Sequence, residues 1–251
     1  MNSFINLKEK REGGFTLLEL LIVIAIIAIL SIALVFMLNP AETLKKARDA
    51  QRISDLKSVK TALGIMLTSS STPSLDNFGT NICLTATDGT GTNTVNTGAG
   101  KISYSAPAGV LCGAVPAAGA DAATTFGPTN TWCRSVAEDV AGKVDGTGWI
   151  PVNLKALTGG TPISSFPVDP VNTVSASPVA SNLVYRYACQ NGTSGTAASA
   201  KPAFVFEIDA ALESNAYTAE DDKRAKDGGD HSTLYEVGNT LNLLPSGTTA
   251  F

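Results

Sequence analysis

Apolar residues run almost unbroken from Phe15 to Leu38, after which Ala50, Ile53, Leu56, Val59, Leu63 and Met66 recur at steps of three and four. The first block reads as a helix that is apolar all round, the second as a helix with one buried stripe. At about 1.5 Å per residue the first block extends about 36 Å, enough to cross a hydrocarbon core of about 30 Å. Asn39-Pro40 separates the two patterns. Proline inside a helix removes a donor and clashes with the preceding turn, but it is well tolerated in a first turn. The junction is therefore either a kink or a break before a second helix. Pro73, after the polar run from Ser69 to Thr72, marks the end of the stripe.

Farther along, the period falls to two. Leu183, Tyr185, Tyr187 and Cys189 alternate with Val184, Arg186 and Ala188, and Phe204, Phe206 and Ile208 with Val205, Glu207 and Asp209. Two strands are predicted, each packing an inner face toward the helical stripe. The small polar segment from Gly192 to Lys201 forms a long hairpin loop between them. Further strands are expected near Lys101–Ser105, Thr131–Val136 and Thr233–Val237, with a helical turn near Val152–Leu157 stopped at Gly159-Gly160. From about Ser74 onward the chain is rich in Gly, Ser, Thr, Asn and Ala, which suits a β-rich domain with long loops. The expected class is α+β: a long N-terminal helix, transmembrane in its first half and amphipathic in its second, packed on a small antiparallel sheet.

Charge sharpens this picture. Lys45, Lys46, Arg48, Arg52, Lys57 and Lys60 fall off the apolar stripe, with Glu42, Asp49 and Asp55 near enough to pair, so a solvated, partly salt-bridged face is expected. After Lys60 there are nine basic and sixteen acidic residues. An acidic exterior argues against nucleic-acid binding, which rests on basic clusters. Glu19 is the lone acid of the apolar run. Facing lipid it would be costly, so it needs a partner, although a helix N-terminus also favours an acid there. Lys8, Lys10 and Arg11 precede Gly13-Gly14, and the apolar block starts directly after that small pair. An ordinary secretory signal places its small-residue cleavage site after the apolar region. Cleavage at Gly14 would instead leave the apolar helix on the mature chain.

The stretch Gly13-Gly14-Phe15-Thr16-Leu17-Leu18-Glu19 with its apolar helix resembles type IV pilins and the pseudopilins of type II secretion systems, over residues 8 to about 67. The resemblance implies a pilin fold and a prepilin peptidase that cuts between Gly14 and Phe15 and methylates the new terminus. It implies an assembly role for Glu19, neutralised by the Phe15 terminus of a neighbouring subunit. The implied layout is a leader over 1–14, a transmembrane and filament-core helix over 15–38, an amphipathic continuation over 39–72 and an exported head over 73–251. Implied partners are copies of the chain or co-assembled pilins, an inner-membrane platform protein, an assembly ATPase, and membrane lipid before assembly. The head would lie outside the cytoplasm, in an extracellular filament or a periplasmic pseudopilus. One departure is Phe36, where many members carry proline. The basic residues after the span would by themselves place the head in the cytoplasm, but processing of the leader in this family requires the opposite orientation.

Gly148-Trp149-Ile150-Pro151, Phe166-Pro167-Val168-Asp169-Pro170 and Tyr185-Arg186-Tyr187 are similar to the segment that leads into the C-terminal sheet of pseudopilin-like proteins. In major pseudopilins the loop beyond can hold calcium. Here Asp221, Asp222, Asp227 and Asp230, with Glu220, offer oxygens, but Lys223, Arg224 and Lys226 interrupt them without EF-hand spacing. A solvated charged loop is the expected reading and calcium the alternative; no other cofactor is implied.

Cys83, Cys112, Cys133 and Cys189 lack any C-x-x-C pair, which points to two disulfides in an oxidising compartment, with buried free thiols as the alternative. Loop proximity favours Cys112 with Cys133, leaving Cys83 with Cys189. His231 is the sole histidine and is expected in an exposed loop. Asp88-Gly89-Thr90-Gly91 and Asp145-Gly146-Thr147-Gly148 echo one another as turns, and Asn191-Gly192-Thr193 has the form of a glycosylation sequon. No catalytic constellation is present. The sequence thus points to a non-enzymatic filament subunit, with two alternatives: a pseudopilin of a secretion or DNA-uptake apparatus, and a membrane-tethered binding module that does not polymerise.

Overall fold

The computed structural model describes residues 14–76, 83, 102–107, 133–174, 179–191 and 203–244. The chain divides into two compact units, Met1–Thr43 and Leu44–Phe251.

In the first unit α1 spans Leu17–Leu38. Its described side chains are exposed all the way round; Leu17 is 81 % and Ile22 49 % accessible. Ser31 returns its hydroxyl to the Ile27 carbonyl at 2.7 Å, so the run contains no idle donor there. The helix ends on Asn39, which adopts the left-handed conformation at φ 37°. Asparagine is among the few residues that tolerate this. Pro40 then opens α2, Pro40–Ser69, in the first-turn position where its missing N–H costs nothing. The Asn39 carbonyl accepts the N–H groups of Glu42 and Thr43. The junction is therefore a break between two helices, not a kink.

In the second unit, five strands form one sheet in the order β2-β1-β3-β4-β5: β1 Ile102–Pro107, β2 Cys133–Val136, β3 Tyr185–Gln190, β4 Val205–Ala211 and β5 Leu234–Gly238. The expected antiparallel sheet is a mixed one, because β1 and β2 run parallel while the other three pairs are antiparallel. A parallel pair needs a long crossover, and here residues 108–132 separate the two strands. The expected turn before Gly159-Gly160 is a short 3-10 helix, Leu154–Ala156. The loop from 192 to 202 lies outside the described residues.

One core lies between α2 and the sheet. Leu56, Val59, Leu63 and Met66 meet Tyr185, Tyr187, Cys189, Phe206 and Ile208, so the two alternating strands do turn their inner faces to the stripe. Trp149, Ile150 and Phe166 fill its side, and Trp149 Nε1 donates to the Pro167 carbonyl at 2.8 Å. The loop carrying Trp149 is drawn in by Arg134, which donates to the carbonyls of Gly148 and Trp149 at 2.7 and 2.8 Å. Gly148 is required by close approach: a Cβ there would stand 2.0 Å from the Lys143 carbonyl oxygen. A second apolar cluster covers the outer face, where Tyr104, Val184, Ala188 and Leu234 pack with Leu243 and Leu244.

The stripe differs from expectation at its N-terminal end. Ala50 is exposed, whereas Asp49 and Arg52, assigned to a solvated face, are fully buried.

Candidate functional site

At the start of α1, Thr16 and Glu19 close a reciprocal capping box. The Glu19 N–H donates to Thr16 Oγ1 at 3.2 Å, and the Thr16 N–H and hydroxyl both donate to Glu19 Oε2 at 2.8 Å. Two donors share one carboxylate oxygen, so Oε1 is left for a further donor. The box also orients the acid, because its rotamer is held from two directions. Phe15 is 88 % exposed, and nothing lies within 4 Å of a Cβ placed on Gly14. The leader residues Lys8, Lys10, Arg11 and Gly13 lie outside the described residues. The segment therefore presents an open glycine, an exposed aromatic and an oriented carboxylate within six positions of one another.

In the second unit the largest charged assembly fastens α2 to the head. Arg52 donates from Nε and Nη2 to Asp169 at 2.7 and 3.0 Å, and from Nη1 to Asp49 at 2.8 Å and Glu213 at 2.9 Å. Arg48 grips Glu213 through two further bonds of 2.6 and 2.8 Å. Asp49 accepts the N–H groups of Glu213 and Ser214, and Asp169 accepts those of Val171 and Asn172. Asp169 thus makes the Asp-Pro turn and neutralises the helix with the same oxygens. The Arg48 guanidinium draws the Glu213 carboxyl down to about 2, helped by Arg52, and the three carboxylates raise Arg52 against the cost of its burial. Tyr185 donates its hydroxyl to Asp55 at 2.9 Å, while burial pushes the Asp55 carboxyl up. Lys57 and Lys60 stay exposed as expected, and Lys46 and Lys223 each sit 5.8 Å from the centroid of the Tyr217 ring.

The acidic loop divides by partner. Asp221 is paired with both Lys223 and Lys226, whose hydrogen bonds hold its carboxyl at about 2. Asp222 binds Arg224 through two bonds of 2.9 and 2.8 Å. Asp227 accepts the N–H groups of Gly229 and Glu236. Asp230 brings a carboxylate oxygen within 4.8 Å of those of Glu207 and Glu236. Glu207 and Glu236 both fall on strands expected from the sequence, where alternation alone marks neither as part of a site. The residue predicted to be exposed, His231, is buried at 2 % accessibility beside them. Its Nδ1 accepts the Thr233 N–H at 3.2 Å.

Cys83 and Cys189 are joined in a disulfide. Cys112 and the Cys133 side chain lie outside the described residues. Asn191 uses its side chain structurally: Oδ1 accepts the Leu75 N–H at 2.8 Å, and Nδ2 donates to Asp76 at 2.7 Å. Of the two echoed turns only the second is described, where Asp145 Oδ1 accepts the N–H and hydroxyl of Thr147.

Residues 10–35 match the family profile of the prokaryotic N-terminal methylation motif. The match takes in Gly14, Phe15, Glu19 and most of α1. Neither a curated protein nor a solved structure matches the chain.

Proposed function

Starting from a type IV pilin- or pseudopilin-like protein with a prepilin leader, we propose that this chain is the structural subunit of a type IV pilus or pilus-like filament. Prepilin peptidase cuts between Gly14 and Phe15 on the cytoplasmic side, and Phe15 is methylated. The head, with its Cys83–Cys189 disulfide, lies outside the cytoplasm. Until assembly α1 sits in the inner membrane; afterwards it packs in the filament core, drawn there by the platform protein and assembly ATPase of the system.

The observation that carries this reading is Glu19. It is the one acid in a span otherwise able to cross a bilayer, and it is oriented by Thr16 with one oxygen uncommitted to the cap. A lone membrane anchor has no use for such a group, because an acid in the span opposes insertion. A helix bundle does: each carboxylate neutralises a neighbour's Phe15 terminus and so sets the axial register.

Two measurements test it. Intact-mass analysis of membrane and sheared-surface fractions should find a chain that begins at methylated Phe15, with Gly14→Val accumulating uncut. A dominant species that retains residues 1–14 overturns the processing. Glu19→Ala should remain in the membrane yet disappear from filaments. If wild-type heads reach the surface and no filament forms in any condition that displays them, the chain is a tether instead.

A further inference from the structure

We propose that Glu207 and Glu236 form a proton-sharing latch that holds the Leu243-Leu244 segment and the turn at His231 onto the outer face of the sheet, and that loss of the shared proton opens it.

The sheet register places the two acids. Arg186 on β3 is paired with Asp209 on β4, Asp209 with Glu236 on β5, and Glu207 with Gly238, which sets Glu207 diagonally across from Glu236 on one face. Glu207 is wholly buried and Glu236 is 2 % accessible. Their oxygens come within 4.8 Å of each other and of Asp230. Arg186 is the buried arginine on this face among the described residues, and it donates to Asp209 at 3.0 Å and to the carbonyls of Val179 and Ala180. Among the described residues, the positive charge of Arg186 on this face is directed to Asp209 and not to the pair. Asp209, Asp227 and Asp230 add negative charge, Tyr104 stands near Arg186 and Asp209, and His231 gives its N–H to Glu236 while its ring lies close enough to Asp209 to favour that carboxylate. Two ionised carboxylates cannot share such a site, so one keeps its proton.

Each glutamate also holds a separate piece of chain. Glu207 Oε2 accepts the N–H groups of Leu243 and Leu244 at 2.5 and 2.8 Å, and Glu236 Oε2 accepts the His231 N–H at 2.9 Å. Among the described residues, no group that carries a hydrogen at every pH donates to Glu207 Oε1. A proton on the Glu236 carboxyl supplies that donor. Burial raises both carboxyls, and Glu236 the further, because the Glu207 carboxylate beside it also favours its protonated form. A cation fits the geometry less well, because the pair and Asp230 leave about three oxygens where calcium takes about six to eight.

The latched state carries one proton more than the opened state, in which both acids return to the usual glutamate range of about 4.3. Opening should therefore become about tenfold more favourable per pH unit from there up to the latched value. Hydrogen exchange of the full chain in detergent tests this at the segment with Leu243 and Leu244, after correction for intrinsic base-catalysed exchange. Wild type should show that tenfold slope. Glu236→Gln supplies a donor that does not titrate, and it should keep the segment protected with no slope; Glu207→Gln, whose amide oxygen still accepts the Leu243 and Leu244 N–H groups, should likewise flatten the slope, and both should retain wild-type circular dichroism. A wild-type slope equal to that of Glu236→Gln overturns the proposal. So does protection lost at alkaline pH and recovered on adding calcium at fixed pH, since the site then holds an ion.

Discussion

Arg52 and Asp169, 117 positions apart, meet through two parallel N–H···O bonds with neither side chain accessible to solvent. A guanidinium buried in this way is stable only because Asp49 and Glu213 take its remaining donor. The desolvation of each charge is costly, and geometry of this quality is what offsets it.

Truncating that arginine strands three carboxylates. Arg52→Ala should destabilise the head by about 3–5 kcal/mol. Asp169→Asn should cost less, because an amide still accepts the Val171 and Asn172 N–H groups while Arg52 keeps its other two acids. Denaturant unfolding of both variants checks the order; equal losses would mean that Asp169 alone anchors the cluster.

Acid should weaken the same cluster. Glu213 is held at about 2 in the folded chain, below the ordinary glutamate value. Its contribution is complete above the unfolded value and is lost as pH falls from about 4.5 toward 2, on the order of 2 kcal/mol. Thermal unfolding measured across that interval should show a steeper decline in wild type than in Glu213→Gln.

The Cys83–Cys189 bond closes a sequence separation of 106 residues. Cross-linking so long a loop removes much of the freedom of the unfolded chain, so replacing both cysteines with alanine should cost about 2–4 kcal/mol. Cys189 is also fully buried among Tyr187 and Leu75, which adds a smaller packing loss. Comparing reduced wild type with the double variant separates the two contributions.

Gly148 offers a local test. Because its Cβ position is 2.0 Å from the Lys143 carbonyl, Gly148→Ala must displace the turn that seats Trp149. A loss of about 1–3 kcal/mol is expected, together with a change in tryptophan fluorescence that Gly159→Ala, with open space around it, should not produce.

Much of this architecture was legible because periodicity reports burial. Tyr185, Tyr187 and Cys189 at a period of two, and Leu56, Val59, Leu63 and Met66 at three and four, identified their faces without any partner. The same logic misled at Asp49, Ala50 and Arg52. A hydrophobic pattern counts charge as surface, and the groups that make this charge a core element, Asp169 and Glu213, lie far away in sequence. His231 and Glu236 were hidden for the same reason. The direction of β2 was also illegible, since four extended residues carry no record of which way their neighbour runs. At the N-terminus the chemistry sits within a few consecutive residues, so Gly14, Phe15 and Glu19 could be picked out directly. Thr16, which holds the Glu19 carboxylate, stands at the Thr-x-x-Glu spacing of a capping box, a signal that also lies within four consecutive residues.

The two attachments of α2 to the sheet also define a mechanical order. A pull on the head through the N-terminal end of α2 would reach the arginine cluster before the exit of the helix. There Tyr187 holds the Leu75 carbonyl at 2.7 Å, Asn191 holds the Leu75 N–H, and the Cys83–Cys189 bond follows. Ion pairs and hydrogen bonds can part and re-form under load, while a covalent bond limits how far the chain can be drawn out. The helix is thus mounted on a reversible fastening backed by a permanent tether, so a head stretched past the first can return to its seat when tension falls.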